Sequence, residues 1–235
     1  MAKYVILIAG NICAGKTKFV NYVKQQDSRF QEFLSGEEEL KIVPESIDPV
    51  GLENFYHDRK AHTSQFEMTC LHGRINRHQK AKRSNDIYIF DRGMIEGAET
   101  FCKNSFLEGY LSHEDYELYV HTVKKALDKL DRTEQQQWLE QLVVYFRMDD
   151  LLNLHQRQRG RKTGGEVIPV AYLQRIHECY EEFFHNIKEV YARYGIRHPR
   201  VLTIDAAVDF HQDKDYHHRT LEQVLQTLHD DRTQK

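Results

Sequence analysis

The feature that most constrains this fold is an apolar run, Lys3–Ala9, that passes without a break into Gly10-Asn-Ile-Cys-Ala-Gly15-Lys16-Thr17. The string fits G-x-x-x-x-G-K-[ST], and its context is a strand before it and a helical stretch after it. Glycines let the backbone fold around phosphate oxygens, while successive N–H groups and the helix N-terminus supply positive potential. Gly10, Asn11, Ile12, Cys13, Ala14, Gly15, Lys16 and Thr17 are therefore the candidate binding loop for the phosphates of a nucleoside triphosphate. Lys16 is expected to reach the β- and γ-phosphates, and Thr17 to ligate Mg2+. A chance glycine-rich turn is the bland alternative, and the strand–loop–helix context argues against it. The loop marks a nucleotide user without choosing among ATPases, GTPases, motor domains and small kinases.

Four more runs look like the first: Leu40–Pro44, Ile87–Phe90, Leu142–Phe146 and Val201–Ile204. Near-continuous apolar runs suit strands covered on both faces. Alternating with helical stretches, they predict an α/β fold, a doubly wound five-stranded parallel sheet flanked by helices, with ligands at the carboxyl ends of the strands. Ser112-His-Glu-Asp115 reads as a helix start before Tyr116, Tyr119, Val123, Leu127 and Leu130. Pro169 opens a stripe of Leu173, Ile176, Tyr180, Phe183, Ile187 and Val190 that Gly195 stops, and Leu221, Val224, Leu225 and Leu228 mark a last helix. With 12 Gly, 4 Pro and no repeat, no linker is evident, so residues 1–235 read as one domain.

Charge and cysteine usage narrow the partners. A net charge of −3 gives no long-range field for a nucleic-acid polymer or an anionic membrane. No apolar run reaches the length of a membrane span. Cys13, Cys70, Cys102 and Cys179 form no CxxC pair and read as free thiols, which with the lack of a leader segment makes the cytoplasm the expected location. The 14 histidines show no zinc spacing and read as surface residues.

Three clusters lie near strand ends. Glu45 closes Lys41-Ile-Val-Pro-Glu45, where a carboxylate can accept a hydroxyl proton. Asp91-Arg92 follows Ile87–Phe90; the Asp can hold Mg2+ and the Arg can steady a hydroxyl or a moving phosphoryl group. Arg157, Arg159 and Arg161 precede Gly164-Gly165, a pattern suited to a lid over residues 155–168 or so that clamps triphosphate oxygens and excludes water. A solvated basic turn is the alternative for that last cluster.

Together these strings resemble the deoxynucleoside kinase family from about Lys3 to Leu228: the phosphate loop, Val43-Pro-Glu45, Phe55-Tyr56, Asp91-Arg92, Arg157-Gln-Arg-Gly-Arg161 and Ile168-Pro169. The resemblance implies transfer of the γ-phosphoryl group of ATP to the 5′-hydroxyl of a deoxynucleoside, in nucleotide salvage. It makes Glu45 the general base, with Arg92 on the same hydroxyl and Lys16 on the phosphates, and it puts Thr17 and Asp91 around Mg2+. Tyr56 and Glu166 would hold the sugar 3′-hydroxyl, Phe101 would stack on the base, and Phe66, Glu67 and Arg74 would line the base site. Adenine of ATP would lie near Asp205–Phe210, and a helix-mediated homodimer is expected.

Several positions depart from the family pattern. Glu67 stands where a Gln is usual; a slip to Gln65 is the alternative, but the Glu67 register also brings Arg74 onto a base-contacting arginine. Gly97 replaces an Asp and is expected to leave more room or a less polar reading of the base, Gly93 replaces a Ser or Thr, and Ser46-Ile-Asp48-Pro49 stands where a Trp is common. An ionised Glu only accepts hydrogen bonds, and guanine presents N1–H and N2–H side by side, so deoxyguanosine is the expected acceptor. A Glu67 that is protonated, or turned toward Arg74, would carry no such preference. A thymidylate-kinase-like monophosphate kinase and a catalytically silent family fold are the competing readings.

Overall fold

All five apolar runs become strands of one parallel sheet: β1 (Tyr4–Gly10), β2 (Leu40–Val43), β3 (Ile87–Asp91), β4 (Leu142–Arg147) and β5 (Arg200–Asp205). The computed structural model describes residues 4–34, 36–45, 47–130, 140–160, 168–208 and 213–233. Strand order is β2-β3-β1-β4-β5. Chain connections therefore leave β1 toward β2 on one side and pass from β3 to β4 on the other. That makes the carboxyl end of β1 the switch point, where a crevice opens in such sheets. Ile6, Leu7, Ile8 and Ala9 of β1 and Leu142–Phe146 of β4 are almost wholly buried, as central strands require.

The helices are set by local chemistry. After the phosphate loop comes α1 (Lys16–Gln25), and a short 3-10 stretch, Asp27–Phe33, leads on toward β2. Asp48 caps α2 (Pro49–His57), accepting from the N–H groups of Val50 and Gly51, with Pro49 in the first turn where its missing N–H costs nothing. Asp58 caps α3 (Arg59–Lys82). Beyond β3 the chain runs through α4 (Met94–Gly97), a π-helical turn at Ala98–Cys102, and α5 (Lys103–Leu107). Ser112 caps α6 (His113–Lys129) by accepting from Asp115 N–H, as its sequence pattern implied. Asp150 caps α7 (Leu151–Arg159), and α10 (Tyr216–Thr233) carries the expected final stripe.

One expected helix is two. The stripe after Pro169 is divided at Asn186 into α8 (Val170–His185) and α9 (Ile187–Arg193). Asn186 Nδ2 donates to Glu182 O at 3.0 Å, a local side-chain bond that competes with helix continuation. Apolar periodicity runs through the break because both segments pack on the same core. That core has two parts: one between the sheet and its helices, and one around Leu71, Ile95, Tyr119, Val123, Phe183 and Tyr191. No helix among the described residues is long and apolar enough to cross a membrane.

Candidate active site

The loop after β1 has the backbone of a phosphate cradle. Gly10 has φ 141° and Gly15 φ 97°, and a Cβ at Gly10 would sit 2.7 Å from Phe146 O. Cys13 adopts φ 65° without being glycine, a conformation costing about 1–3 kcal/mol that persists only where the surroundings impose it. Asn11 Nδ2 donates to Leu173 O at 2.9 Å, fastening the loop to α8. Lys16 is buried and gives its ammonium to the loop's own carbonyls, Gly10 O and Asn11 O, each at 2.8 Å. Burial, then the nearby Arg92 charge, pull its pKa down to about 8. Thr17 is exposed in the first turn of α1.

Glu45, just beyond β2, meets two guanidinium groups. Arg92 Nε lies 2.8 Å from Oε2, while Arg74 Nε donates to Oε1 at 3.1 Å and its Nη2 donates to the same oxygen. Burial opposes the charge on Glu45, but the two arginines outweigh it and hold the carboxyl below its usual range. Asp91 ends β3 beside Ile8 of β1. Its Oδ1 is buried and has no hydrogen-bond partner among the described residues, which is the kind of hard, unspent oxygen that suits Mg2+.

These groups border a cavity of about 670 Å3 whose walls include Ile12, Glu45, Tyr56, Phe66, Glu67, Arg74, Arg92, Phe101 and Tyr172. Phe101 is delivered by the π-helical turn, a local widening often found at functional sites. The Arg92 guanidinium lies 4.1 Å from the Phe101 ring centroid. Phe66 stacks on Phe55 with centroids 4.7 Å apart. Glu67 lines this cavity, whereas Gln65 lines a separate pocket between α2 and α3. Burial pushes the Glu67 pKa up to about 7, against the pull of Arg74 and a hydrogen bond from Ser105.

Tyr180, Glu96 and Arg77, all buried, shape the site although the sequence assigned them no role in it. Arg92 has φ 64°, and its Nη1 donates to Tyr180 Oη at 2.8 Å and to Gly10 O at 3.3 Å. Tyr180 donates in turn to Glu96 Oε1, whose other oxygen accepts Gly93 N–H at 2.8 Å. Arg77 donates to four carbonyls, those of Val43, Pro44, Asp91 and Arg92, at 2.7 to 3.3 Å, and so ties together the ends of β2 and β3. Spacing held a signal: Glu96 is four residues past Arg92, and Arg77 lies three past Arg74 on α3.

Two expectations are corrected. Gly97 leaves no empty room: a Cβ there would lie 2.9 Å from Arg74 Cζ, closer still to its Nη1, and 3.0 Å from Tyr119 Oη. Arg74 has moved into that space, with Nη1 donating to Tyr119 Oη at 3.1 Å. At Gly93 the corresponding volume is taken by Leu7 Cδ2 and Glu140 Oε1. Nor are all histidines on the surface, since His78 is buried against Phe90 with its Nε2 3.3 Å from Glu140 Oε1. All four cysteines are free, as expected, and buried. In the expected lid, Arg157 donates to Ala206 O at 2.9 Å and Val208 O at 3.0 Å, facing the loop after β5. Arg159 is exposed at the end of α7. Arg161, Glu166, the Gly164-Gly165 hinge and Phe210 lie outside the described residues.

Comparison with known proteins gives a consistent answer. Mitochondrial thymidine kinase 2 of Homo sapiens is 23% identical over 77% of this chain and 64% of its own length. Deoxycytidine kinase 1 of Xenopus laevis is 22% identical over 95% of this chain and 89% of its own. The solved deoxyadenosine kinase from M. mycoides with bound dATP shares the fold at a TM-score of 0.70, covering 94% of this chain and 98% of that one at 21% identity. A model of the deoxynucleoside kinase family matches residues 6–229. With a phosphate loop, a strand-end carboxylate–arginine pair and a family match over nearly its whole length, the chain belongs to the deoxynucleoside kinase family and is a phosphotransferase that phosphorylates nucleosides.

Proposed function

We propose that the protein moves the γ-phosphoryl group of ATP to the 5′-hydroxyl of a deoxynucleoside, with deoxyguanosine the preferred acceptor. The observation that carries this reading is the Glu45–Arg92 pair, 2.8 Å apart, standing between the cavity and the loop that holds Lys16. A 5′-hydroxyl placed at Glu45 can give its proton to Oε2 as Arg92 turns toward the transferred group. Lys16 exchanges its two loop carbonyls for phosphate oxygens. Thr17 and Asp91 would hold Mg2+, which when bound offsets charge between the β- and γ-phosphates. Arg157, Arg159 and Arg161 form the lid, with Arg157 beside the adenine of ATP.

In the cavity, Phe101 offers the ring face not covered by Arg92 for stacking, Phe66 supports the base wall, and Tyr56 with Glu166 holds the 3′-hydroxyl. An ionised Glu67 accepts from the N–H edge of guanine, a bond to a charged acceptor contributing roughly 1.5–3 kcal/mol. A phosphorylated acceptor is disfavoured because the cations lining the described cavity, Arg74 and Arg92, are both engaged by Glu45. The same proposal includes a homodimer through helices, and light scattering on the purified protein tests it.

Phosphoryl transfer from Mg·ATP to each of the four deoxynucleosides, with Glu45→Gln beside the wild type, tests the reading. Product that disappears in the variant supports it. Absence of product with every nucleoside, from protein that binds ATP, overturns it.

A further inference from the structure

Glu67 is almost completely buried, yet none of the ion pairs among the described residues includes it. Its obvious partner is already committed: Arg74 gives Nε and Nη2 to Glu45 and Nη1 to Tyr119. Among the described residues, the one hydrogen bond to the Glu67 carboxyl comes from Ser105 Oγ, 3.3 Å from Oε1. Arg59 Nη2 points a donor at the same Ser105 oxygen from 3.5 Å, so the serine proton is directed at Glu67. Oε1 is therefore held as an acceptor, and Oε2 is left for whatever occupies the cavity that Glu67 lines.

An uncompensated carboxyl in such a place is poised between its two forms. On its own helix it faces Arg59, Cys70 and Arg74. Around it lie Glu45 beyond β2, Cys102 of the π-helical turn, Ser105 of α5, Tyr119 of α6 and Tyr172 of α8. The thiols and phenols are pushed further into their neutral forms by burial, Glu45 stays ionised, and the arginines stay charged. Within this group, Glu67 is the side chain that titrates near neutral pH, its pKa raised by burial to about 7.

We propose that Glu67 selects the base through Oε2, which donates to the ring nitrogen of adenine or cytosine when the carboxyl is neutral and accepts from the ring N–H of guanine or thymine when it is ionised. This rests on the reading that the cavity takes a nucleoside base, and it makes the guanine preference strongest where the carboxyl is ionised and lost as the pH falls. A glutamine at this position would rotate its amide to serve either edge. A single carboxyl oxygen has to change its protonation state instead.

The test is the ratio of kcat/KM for deoxyguanosine over deoxyadenosine, and for thymidine over deoxycytidine, as a function of pH. Each ratio cancels the ionisation of groups that act equally on both substrates. From about pH 6 to about pH 8 the ionised-to-neutral ratio of such a carboxyl rises ~100-fold, so both kinetic ratios are expected to climb by about tenfold or more. Glu67→Gln should flatten them. Ser105→Ala removes a bond that favours the charged form and should move the climb to higher pH. Ratios that stay constant with pH in the active wild type, or that climb equally in Glu67→Gln, overturn the proposal. No transfer to any nucleoside at any pH overturns the kinase reading beneath it as well.

Discussion

Replacing Gly97 by alanine adds one methyl group to a place that has no room for it. The new Cβ would lie 2.9 Å from Arg74 Cζ and 3.0 Å from Tyr119 Oη. Both neighbours are buried, and Arg74 is anchored at each end of its guanidinium, so the strain cannot be relieved by a free swing into solvent. Overpacking of this kind costs about 1–3 kcal/mol. Displacing Arg74 also forfeits a hydrogen bond from a charged group, worth roughly 1.5–3 kcal/mol. The sum is about 2.5–6 kcal/mol, which for a chain of this length lowers Tm by about 5–24 °C. Thermal denaturation followed by circular dichroism measures it. Most of the cost should vanish when Arg74→Met is already present, giving a coupling of about 1 kcal/mol or more between the two sites. An unchanged Tm for Gly97→Ala, or costs that simply add, would refute the idea that Arg74 fills the glycine's space.

Other expectations follow from the same contacts. Tyr180→Phe takes from Arg92 an acceptor at 2.8 Å and from Glu96 a donor, so kcat should fall about tenfold or more while ATP affinity, read by calorimetry, holds; an unaltered kcat would show that Arg92 needs no such support. Because Arg74 and Arg92 hold Glu45 below its usual range, the acid limb of kcat should lie at lower pH than for an ordinary carboxylate, and it should move upward in Gly97→Ala as Arg74 leaves. Arg77→Met should destabilise the protein by about 2–4 kcal/mol in urea titrations, since four strand-end carbonyls lose their donor. Lys41 and Ser84 outweigh burial and push the Asp86 pKa down to about 2. Its stabilising contribution is then complete above about pH 4 and lost as the pH falls toward 2; Asp86→Asn should remove that stretch of the acid-unfolding curve.

Much of this architecture could be read from the chain because apolar residues predominate in each strand and the phosphate loop is contiguous. Glu45, Asp91 and Arg92 were legible for a related reason: they close such runs, and parallel strands bring their carboxyl ends together. The break at Asn186 was not legible, because Ile187 and Val190 continue the apolar stripe and periodicity does not register a side chain capping a carbonyl. Glu96, Tyr180 and Arg77 were missed because each acts through another residue rather than by position at a strand end. Their spacing from Arg92 or Arg74 becomes informative only once it is known which helix faces turn toward the cavity. The role of Gly97 was misread for the opposite reason: what fills it comes from α3, far away in sequence.

Lys16 donating to the carbonyls of Gly10 and Asn11 has a consequence for what the loop rejects. With its cation already satisfied, the loop is not a bare positive trap. An incoming anion must replace two good hydrogen bonds before it gains any, so the first phosphate oxygen to arrive makes an exchange with little net yield. A single inorganic phosphate must recover that loss from the N–H groups around one site, whereas a triphosphate spreads it over the whole cradle. The same two bonds on Lys16 are thus expected to favour a long polyphosphate over a single phosphate, because each added phosphate dilutes a cost incurred once.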